Sequence, residues 1–579
     1  MAIIDFKATK CRHCYKCVRN CEVKAIMVKD GRAEIMPDNC ILCGRCLQIC
    51  PQSAKTLVSD LGRVKDMIEA GEKVVVSIAP SYMGLLKYHT IGQVRCALMR
   101  LGFTDVRETA EGAALVTAEY ARLLSEGTME NIISTCCPSV NALIEKYYPQ
   151  LIPYLAPVVS PMIAHGRMIK QELGSDTKVV FLGPCIAKKQ EALDPRHADC
   201  VDAVLNFNDI SRWLNEEDIV IEDCEDTPFE WLDPRVNRLY PVTSGVINSV
   251  MVTEEKQDKY RKFYVHGESN CIDLCQSMVR GEITGCFIEM NMCSGGCIKG
   301  PTVNDKSISR FKVKLDMEER ISRDPVPEAE TKPLLEEVSL HKVFLDRTPK
   351  DPVPSEEEIR DILAKTGKVR PDDELNCGAC GYNTCREKAI AIIQNKAEVA
   401  MCIPYMRAKQ ESYSNKVFNA MPGLLVTVDY NLKIIQMNEA ASKLFNMPKK
   451  RRLIGKPVSE IMDDYSLASI LAFERNLMQD EIYLEDQKCY LDRVMTNDKE
   501  NKMILCIMKD ITKERKHKDQ IHNAQIEAAR MADKLVEEQL KIVQQIAGLL
   551  GETAADTKVA VEKLKNTILL ESEEENEKK

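Results

Sequence analysis

Two cysteine runs with the same spacing constrain the first 58 residues more than any other feature of the chain. Each run has three cysteines separated by two residues and a fourth after three more: Cys11, Cys14, Cys17 and Cys21, then Cys40, Cys43, Cys46 and Cys50. In this arrangement the first three cysteines of a run bind one 4Fe-4S cube and the fourth binds the other cube. The spacing therefore predicts one cluster on Cys11, Cys14, Cys17 and Cys50 and another on Cys40, Cys43, Cys46 and Cys21. Paired zinc knuckles are the alternative, but zinc ligands come in pairs rather than triplets.

A third cysteine block lies further along the chain. Glycines near its first members let the backbone fold tightly round a cluster, and a helix reaches the distant fourth ligand. The block predicts one 4Fe-4S cluster within residues 346–408, with structural zinc as the alternative. Residues 325–358, rich in proline and charge, are predicted to be a linker. The expected ligands are Cys377, Cys380, Cys385 and Cys402.

Composition excludes several functional classes. The chain of 579 residues has a net charge of −9, which disfavours nucleic acid as a partner. It has no apolar run of the roughly 18 residues that a membrane span needs, and its start does not resemble a signal peptide. Its 25 cysteines are clustered, as in metal proteins of reducing compartments. We therefore expect a modular cytoplasmic protein that does not bind membranes.

Residues 61–345 alternate apolar runs with helical stretches, which predicts an α/β domain. Loops with unusual chemistry follow the apolar runs, and such loops lie where parallel sheets place their ligands. They carry Ser81, the pair Cys136 and Cys137, and Cys185. A fourth loop, residues 289–300, contains glycines that would let the backbone approach a cluster. The remaining cysteines of this region are expected to pack as small buried hydrophobes: Cys96, Cys200, Cys224, Cys271, Cys275 and Cys286.

Three of these loops read STCCPSV, GPCIAKKQE and EMNMCSGGCIKG, in that order after the double cysteine run. Together they resemble the signature loops of the FeFe hydrogenase catalytic domain, and residues 1–58 resemble a bacterial two-cluster ferredoxin. The resemblance implies interconversion of H2 with protons and electrons, with a ferredoxin-like electron donor or acceptor. It also implies an H-cluster, in which a 4Fe-4S cube is joined to a two-iron unit bearing carbonyl, cyanide and azadithiolate ligands. The implied ligands of the cube are Cys137, Cys185, Cys293 and Cys297, with Cys297 bridging to the two-iron unit.

The resemblance implies roles for four further side chains. Cys136 would be the thiol that exchanges protons with the site. Lys188 would donate a hydrogen bond to an iron cyanide, and Ser81 would meet another diatomic ligand. Glu191 would hold Lys188 through a salt bridge.

The sequence also departs from this family. Gly183 and Asn291 stand where the family has methionines that pack against the two-iron unit. A serine and two glutamates that carry protons away in prototypical enzymes align with Tyr120, Leu123 and Ala156, none of which is a carboxylate. Positioned proton transfer is typically worth roughly 10²–10⁴ in rate, so slow turnover is expected. Glu119 could offer another path, although a solvated surface position is the simpler interpretation.

Residues 413–512 resemble a PAS domain, with Asn438 at the helix-entry asparagine. The segment has no His or Trp and no flavin signature, so an empty dimerisation module is the simplest interpretation. Residues 513–579 carry apolar residues at the sevenfold spacing of a coiled coil: Ile521, Ala528, Leu535, Ile542 and Leu549. The pattern predicts a homodimer, with a solitary amphipathic helix as the alternative. No kinase domain follows, which points to a separate downstream signalling protein.

Three functions remain open from the sequence. The first is a sensory hydrogenase that reports hydrogen or redox state through the PAS region and coiled coil. The second is a ferredoxin-dependent hydrogen-evolving enzyme in which the PAS region only dimerises the chain. The third is a hydrogenase-like iron–sulfur assembly protein that lacks the two-iron unit. The fold class predicted for all three is multidomain α/β, with an α+β ferredoxin-like region at the start and an α+β PAS domain near the end.

Overall fold

The computed structural model describes residues 3–227, 235–253, 259–303, 309–323, 338–445, 453–547 and 560–567. The chain divides into two compact units, Met1–Met406 and Arg407–Lys579. Within the described residues, no helix combines the length and the apolar character required to cross a membrane.

The first unit combines short strands with helices of four to eighteen residues. Its strands are β1 (Ile4–Phe6), β2 (Ile26–Lys29), β3 (Arg32–Ile35), β4 (Lys55–Leu57), β5 (Val74–Ile78), β6 (Asp105–Glu108), β7 (Ile132–Ile133), β8 (Lys178–Leu182), β9 (Ala203–Leu205), β10 (Arg261–His266) and β11 (Cys286–Asn291). Its helices are α1 (Lys16–Arg19), α2 (Arg45–Ile49), α3 (Leu61–Glu69), α4 (Tyr82–Leu85), α5 (Ile91–Arg100), α6 (Thr109–Glu126), α7 (Pro138–Tyr147), α8 (Pro161–Leu173), α9 (Ala187–Ala192), α10 (Phe207–Glu216), α11 (Gly245–Thr253), α12 (Glu268–Val279), α13 (Arg310–Arg323), α14 (Glu356–Lys365) and α15 (Cys385–Ile393).

The cysteine runs at the start of the chain lie in a small α+β region. Strands β1 and β4 pair antiparallel, and β2 and β3 form a hairpin. The hairpin turns at Asp30 and Gly31, both with positive φ, because an Asp-Gly pair suits the tight turn that matches strand twist. Helices α1 and α2 contain the third cysteines of the two runs, Cys17 and Cys46, and the fourth cysteines come shortly after each helix ends.

Two separate parallel sheets form the body that follows. The first has the order β6-β5-β8-β9 and the second the order β10-β11-β7. The apolar runs of β5 and β11 are buried throughout, as expected for parallel strands covered on both faces. The α/β prediction is right in class but incomplete, because apolar runs indicate strands without indicating their partners. The two-residue strand β7 pairs with β11 rather than with β5.

Part of the predicted linker is packed against this body. Within residues 325–358, those up to 337 lie outside the described residues, but Val338 and Phe344 are buried. The Val159 N–H donates to Leu340, and the Lys342 N–H donates to Pro157. The linker interpretation is therefore wrong for residues 338–347. Apolar residues alternate with the charged ones there, and they attach the segment like a strap.

The second unit contains an antiparallel five-stranded sheet with the order β13-β12-β16-β15-β14. Its strands are β12 (Leu424–Asp429), β13 (Ile434–Met437), β14 (Leu477–Leu484), β15 (Cys489–Asp498) and β16 (Met503–Asp510). Asn438 caps the following helix: its side chain accepts the N–H groups of Ala441 and Leu425 and donates to Gly423. This asparagine fixes the turn from β13 into the helix.

Two helices of this part are long and two are short, and the two short ones have buried residues. They are α16 (Ile403–Ala420), α17 (Glu439–Leu444), α18 (Tyr465–Ala472) and α19 (Thr512–Ala547), and residues 560–567 are also helical. Helix α16 begins directly after Cys402 and runs through the interval between 408 and 413, where the sequence predicts a domain boundary. Helix α19 carries the predicted heptad positions up to Ile542, whereas Leu549 lies outside the described residues.

Candidate active site

The predicted site lies where the carboxyl ends of the two parallel sheets meet. Strand β5 leads to Ser81 and the adjacent strand β8 leads to Cys185, and the Ala79 N–H donates to Leu182 at 2.8 Å. In the second sheet β7 leads to Cys136 and Cys137, while β11 leads to Cys293. Each sheet therefore contributes two loops, which agrees with the general placement of ligands in α/β folds.

Five cysteines line one cavity of about 430 Å³ between these loops: Cys136, Cys137, Cys185, Cys293 and Cys297. Burial, together with neighbouring Cys137, raises the pKa of Cys185 to about 11. Burial also raises the pKa of Cys293 well above the ordinary value, with Cys185 and Cys297 adding to it. Thiolates this close together are stable in a buried site when a metal group supplies positive charge, so the donor set fits an iron–sulfur cube.

Lys188 is buried beside the cavity and holds two contacts. Its Nζ lies 2.8 Å from Glu191 Oε2 and donates to the Cys136 carbonyl at 3.2 Å. Glu191 also accepts from Ser160 Oγ at 2.8 Å and lies 3.2 Å from Lys342 Nζ. Burial alone would raise the pKa of Glu191, but Lys188 and Lys342 lower it to about 2. The carboxylate therefore stays ionised and fixes the ammonium of Lys188 at the edge of the site.

Cys136 has a hydroxyl neighbour rather than a carboxylate. Tyr120 Oη lies 3.4 Å from its sulfur and accepts the Thr135 N–H at 2.8 Å. Burial raises the pKa of the Cys136 thiol to about 12, and the hydrogen bond from Tyr120 together with Lys188 opposes that rise. Glu119 instead pairs with Arg122 at 2.7 Å on the protein surface. The neighbour of the thiol is thus the phenol of the predicted relay position, and Glu119 does not reach it.

Ser81 provides a second test of whether a larger group fits. Its Oγ is buried and, among the described residues, has no hydrogen-bond partner. Buried hydroxyls nearly always have a partner, so an unpaired one indicates a group with acceptor atoms that belongs beside it. Ala79 lies two residues before Ser81 in the chain. A Cβ placed at Gly183 would lie 3.2 Å from the Cβ of Ala79.

The two departures from the family pattern have structural counterparts. A Cβ at Gly183 would lie 2.6 Å from Cε1 of Phe181, so the ring leaves no room for a side chain there. Asn291 lines the cavity, and its Nδ2 donates to Glu289 Oε1 at 2.8 Å. The ring of Phe181 and the amide of Asn291 thus lie where the family has methionine side chains.

Electrostatic interactions among the cysteines of the first region cross between the two runs. Cys17 interacts electrostatically with Cys11 and Cys50, and Cys21 interacts with Cys40. Cys43 interacts with Cys21 and with Cys46, although Cys46 also feels Cys17. This placement has Cys21 beside the second run and Cys50 beside the first. Cys14 is exposed. Ligation of iron by these residues remains a prediction.

The ferredoxin-like region contacts the active-site loops directly. Cys43 lines the 430 Å³ cavity, and it also shares a neighbouring cavity with Cys293. The next residue, Gly44, has φ +76°, and a Cβ there would lie 2.2 Å from Pro301. Only glycine permits this approach, which brings the predicted second cluster next to the predicted cube.

The four cysteines of the third block line a separate cavity of about 470 Å³: Cys377, Cys380, Cys385 and Cys402. Across the described parts of the chain, no three His, Cys, Asp or Glu side chains converge closely enough to bind a single metal ion. Whether this block binds a 4Fe-4S cluster or structural zinc therefore stays a prediction.

Sequence reasoning missed two charged residues of the site. Lys342 lies in the stretch interpreted as a linker, and only its position among alternating apolar residues signalled burial. Glu289 lies within the apolar run of β11 and accepts N–H groups from Val246 and Ile247, both near 3 Å. A carboxylate in an otherwise apolar strand was the available signal for it.

Comparisons with known proteins agree with these observations. Residues 72–301 match the family model described as iron only hydrogenase large subunit, C-terminal domain. Residues 10–54 match a 4Fe-4S dicluster domain, and residues 373–404 match the family model named FeS.

Relatives of known name resemble this chain over part of its length. Iron hydrogenase 1 of Clostridium pasteurianum is 27% identical over 323 residues, which are 46% of this chain and 56% of that protein. The cytosolic Fe-S cluster assembly factor narfl of Danio rerio is 24% identical over 326 residues, which are 45% of this chain and 79% of that protein. The chain spans 56 to 63% of the length of three hydrogenase relatives. A solved structure concerned with stepwise FeFe-hydrogenase H-cluster assembly has a TM-score of 0.40 and 18% identity, covering 50% of this chain and 100% of that one.

Proposed function

We propose that this chain, whose residues 72–301 match the family model of the iron-only hydrogenase large subunit, is a sensory hydrogenase. It interconverts H2 with protons and electrons slowly and passes the resulting redox state to a partner protein. Lys188 is the observation that carries the proposal, since it is buried beside the cysteine-lined cavity and fixed by Glu191. A buried cation at this position suits an anionic ligand such as cyanide, which a cube alone does not have.

The H-cluster, when bound, supplies the iron at which hydrogen is made or split. Cys137, Cys185, Cys293 and Cys297 hold it in this proposal. Lys188 orients a diatomic anion with its ammonium, and the unpaired hydroxyl of Ser81 donates to another.

Cys136 holds a proton next to the group. Its high pKa keeps the Cys136 thiol protonated at neutral pH, so the thiol serves as a proton donor. After it has given up its proton, neighbouring groups must supply another one. Tyr120 is the neighbour on that side, and its phenol has a pKa raised well above the ordinary value by burial and by Cys136. Recharging through such a weak acid is slow, which suits a sensor better than a high-flux enzyme.

Electrons reach the site through the ferredoxin-like region. Cys43 shares cavities with Cys137 and Cys293, so these residues would hold the second ferredoxin-type cluster next to the cube. A small ferredoxin-like protein is the proposed external donor or acceptor.

The second unit carries the signal in this proposal. Its five-stranded sheet with order 2-1-5-4-3, counted within the unit, and the helix cap at Asn438 support a PAS module. Helix α19 exposes an apolar seam that supports a homodimer, and a separate signalling protein is the proposed recipient.

Infrared spectroscopy of the matured full chain tests the proposal. Carbonyl and cyanide bands that change between hydrogen and nitrogen atmospheres are expected. Lys188→Met should shift or remove the cyanide bands, whereas Lys189→Met, next to it but bonded to Asp60 at 2.7 Å, should leave them in place. Matured protein without any such bands would contradict the proposal.

The likeness to an Fe-S cluster assembly factor favours a second candidate, a protein that holds the cube without the two-iron unit. Infrared bands separate the two functions, because an assembly factor of this kind would show none. A ferredoxin-dependent enzyme with a merely dimerising second unit would show the bands and rapid turnover.

A further inference from the structure

Two buried lysines share the cavity of the third cysteine block. Lys368 and Lys388 line the same space as the four cysteines, and they are 9% and 5% exposed. Lysine is almost never buried to this degree unless it is paired. These two side chains therefore require a negative partner inside the protein.

One of the two lysines contacts a cysteine sulfur directly. Lys368 Nζ donates to Cys402 Sγ at 3.5 Å and to the carbonyl of Thr366 at 3.2 Å. Lys388 Nζ donates to the carbonyl of Val399 at 3.0 Å. Within the described residues, neither lysine forms a salt bridge with a carboxylate. Lys388 interacts electrostatically with Cys380, Cys385 and Cys402, whereas Lys368 interacts with Asp373 as well as with its cysteine partner.

A cluster with four thiolate ligands gains a further negative charge when it is reduced. Buried ammonium groups stabilise that charge because Coulomb interactions are strong where water is excluded. In the ferredoxin-like region the buried Lys55 interacts with cysteines of both predicted clusters, and Lys146 and Lys24 act on cysteines of the second one. The third block differs because one of its two buried ammonium groups donates directly to a ligand sulfur.

The loop of this block is packed onto the ferredoxin-like region. Gly381, next to Cys380, has φ +101°, and a Cβ there would lie 2.7 Å from Val18 Cγ1. Lys24 Nζ donates to the Gly381 carbonyl at 2.8 Å, and Arg19 Nη1 donates to the Ala379 carbonyl at 3.0 Å. Val18 lies next to Cys17, so the ligand loops of two predicted clusters touch.

We propose that the cluster of the third block is the electron store at the end of a cluster chain, and that Lys368 and Lys388 raise its reduction potential. With both clusters bound, the contact of Val18 with Gly381 would be the route by which one electron passes from the ferredoxin-like region to this block, with no proton transferred. The electrons come from hydrogen oxidation at the active site, the only point that rests on the proposed function, or from a chemical reductant.

Redox titration followed by electron paramagnetic resonance tests the proposal on the full chain with its four cubes and without the two-iron unit. Cys377→Ala identifies the signal of this cluster. In the unmodified chain the cluster of the third block should be reduced first, because it has the highest midpoint potential of the four clusters. Lys368→Met and Lys388→Met should each lower its midpoint and leave the other three unchanged. Lys368→Arg keeps the positive charge, so the midpoint potential of this cluster should stay close to that of the unmodified chain.

Lys365→Met is the matched control, because Lys365 lies on α14 close to Lys368 but is exposed. It should move no midpoint. Gly381→Val should weaken the magnetic coupling between this cluster and its neighbour by widening the contact. Unchanged midpoints in both lysine variants, a lowest rather than highest potential, or stoichiometric zinc in place of the fourth cluster would each overturn the proposal. A failed hydrogenase function would change none of these measurements, since the reductant is chemical.

Discussion

The phenol oxygen of Tyr120 lies 3.4 Å from the sulfur of Cys136, at the point where a proton would leave the site. The same oxygen accepts the N–H of Thr135, which holds the ring in place. A neutral hydroxyl with a raised pKa therefore replaces the group that prototypical enzymes use to pass protons on.

Slow turnover is the first expected consequence. Hydrogen evolution by the matured chain, measured with a chemically reduced dye, should be roughly 10²–10⁴ slower than that of a prototypical hydrogenase. Cys136→Ala should remove the remaining activity while the infrared bands persist. Rates equal to those of a prototypical enzyme would contradict the sensor assignment.

Glu191 should contribute a large and pH-dependent share of stability. Its pKa is lowered from 4.5 to about 2, so the stabilisation is complete above pH 4.5 and is lost as the pH falls towards 2. Glu191→Gln should lower the free energy of unfolding by about 3 kcal/mol at neutral pH and flatten its acid dependence. Urea unfolding of the cluster-free chain between pH 3 and 7 measures this. Glu119→Gln, an exposed pair, should change stability by less than about 1 kcal/mol.

Restoring the family's methionine at Gly183 should be unfavourable in this chain. The Phe181 ring occupies the space, so Gly183→Met should cost about 1–3 kcal/mol of stability. Combined with Phe181→Ala, the loss should be smaller than the sum of the two single losses. Thermal unfolding of the unmodified chain, the two single variants and the double variant gives a double-mutant cycle. Leu182→Met is a control that conserves side-chain volume. Additive losses would contradict the steric explanation.

Iron analysis tests the cluster count. Sixteen cysteines in four groups of four predict about sixteen iron atoms per chain before the two-iron unit is added. Cys377→Ala should remove about four of them, while Cys96→Ala should remove none. A value near twelve with one zinc per chain would make the third block a zinc site.

The apolar seam of α19 should mediate dimerisation. Ile521, Met531 and Leu535 are 47%, 63% and 60% exposed on this helix. A helix with such a seam gains stability by burying it against a second copy. Light scattering should find a dimer for the full chain and a monomer for a chain that ends at Met406. Leu535→Glu should weaken the dimer. Arg530→Glu, at a position away from the seam, should leave the dimer intact, and a monomeric full chain would refute the coiled coil.

Much of the site could be predicted because its chemistry depends on residue type and spacing. Lys188 and Glu191 are three residues apart on α9, so one helical turn suffices to bring them together. The cysteine runs are likewise local patterns, and the structure places Cys21 and Cys50 beside the opposite runs.

Features that depend on distant partners could not be predicted in this way. Lys342 reaches Glu191 across 151 residues, and no spacing rule connects them. The pairing of β7 with β11 joins strands from different parts of the chain. The clash that excludes a side chain at Gly183 depends on the orientation of one ring, which a sequence does not state.

The strap at residues 338–347 has a consequence for the order of events during translation. Glu191 acquires Lys188 as soon as α9 forms, but its second cation, Lys342, leaves the ribosome much later, since synthesis adds about 5–20 residues per second. Until then the nascent carboxylate has one ammonium partner, and the side of the site under Pro157 and Val159 lacks its cover. A truncated product that ends before residue 338 would therefore contain all four cysteines of the predicted cube, while Glu191, which holds Lys188, would have only one of its two ammonium partners.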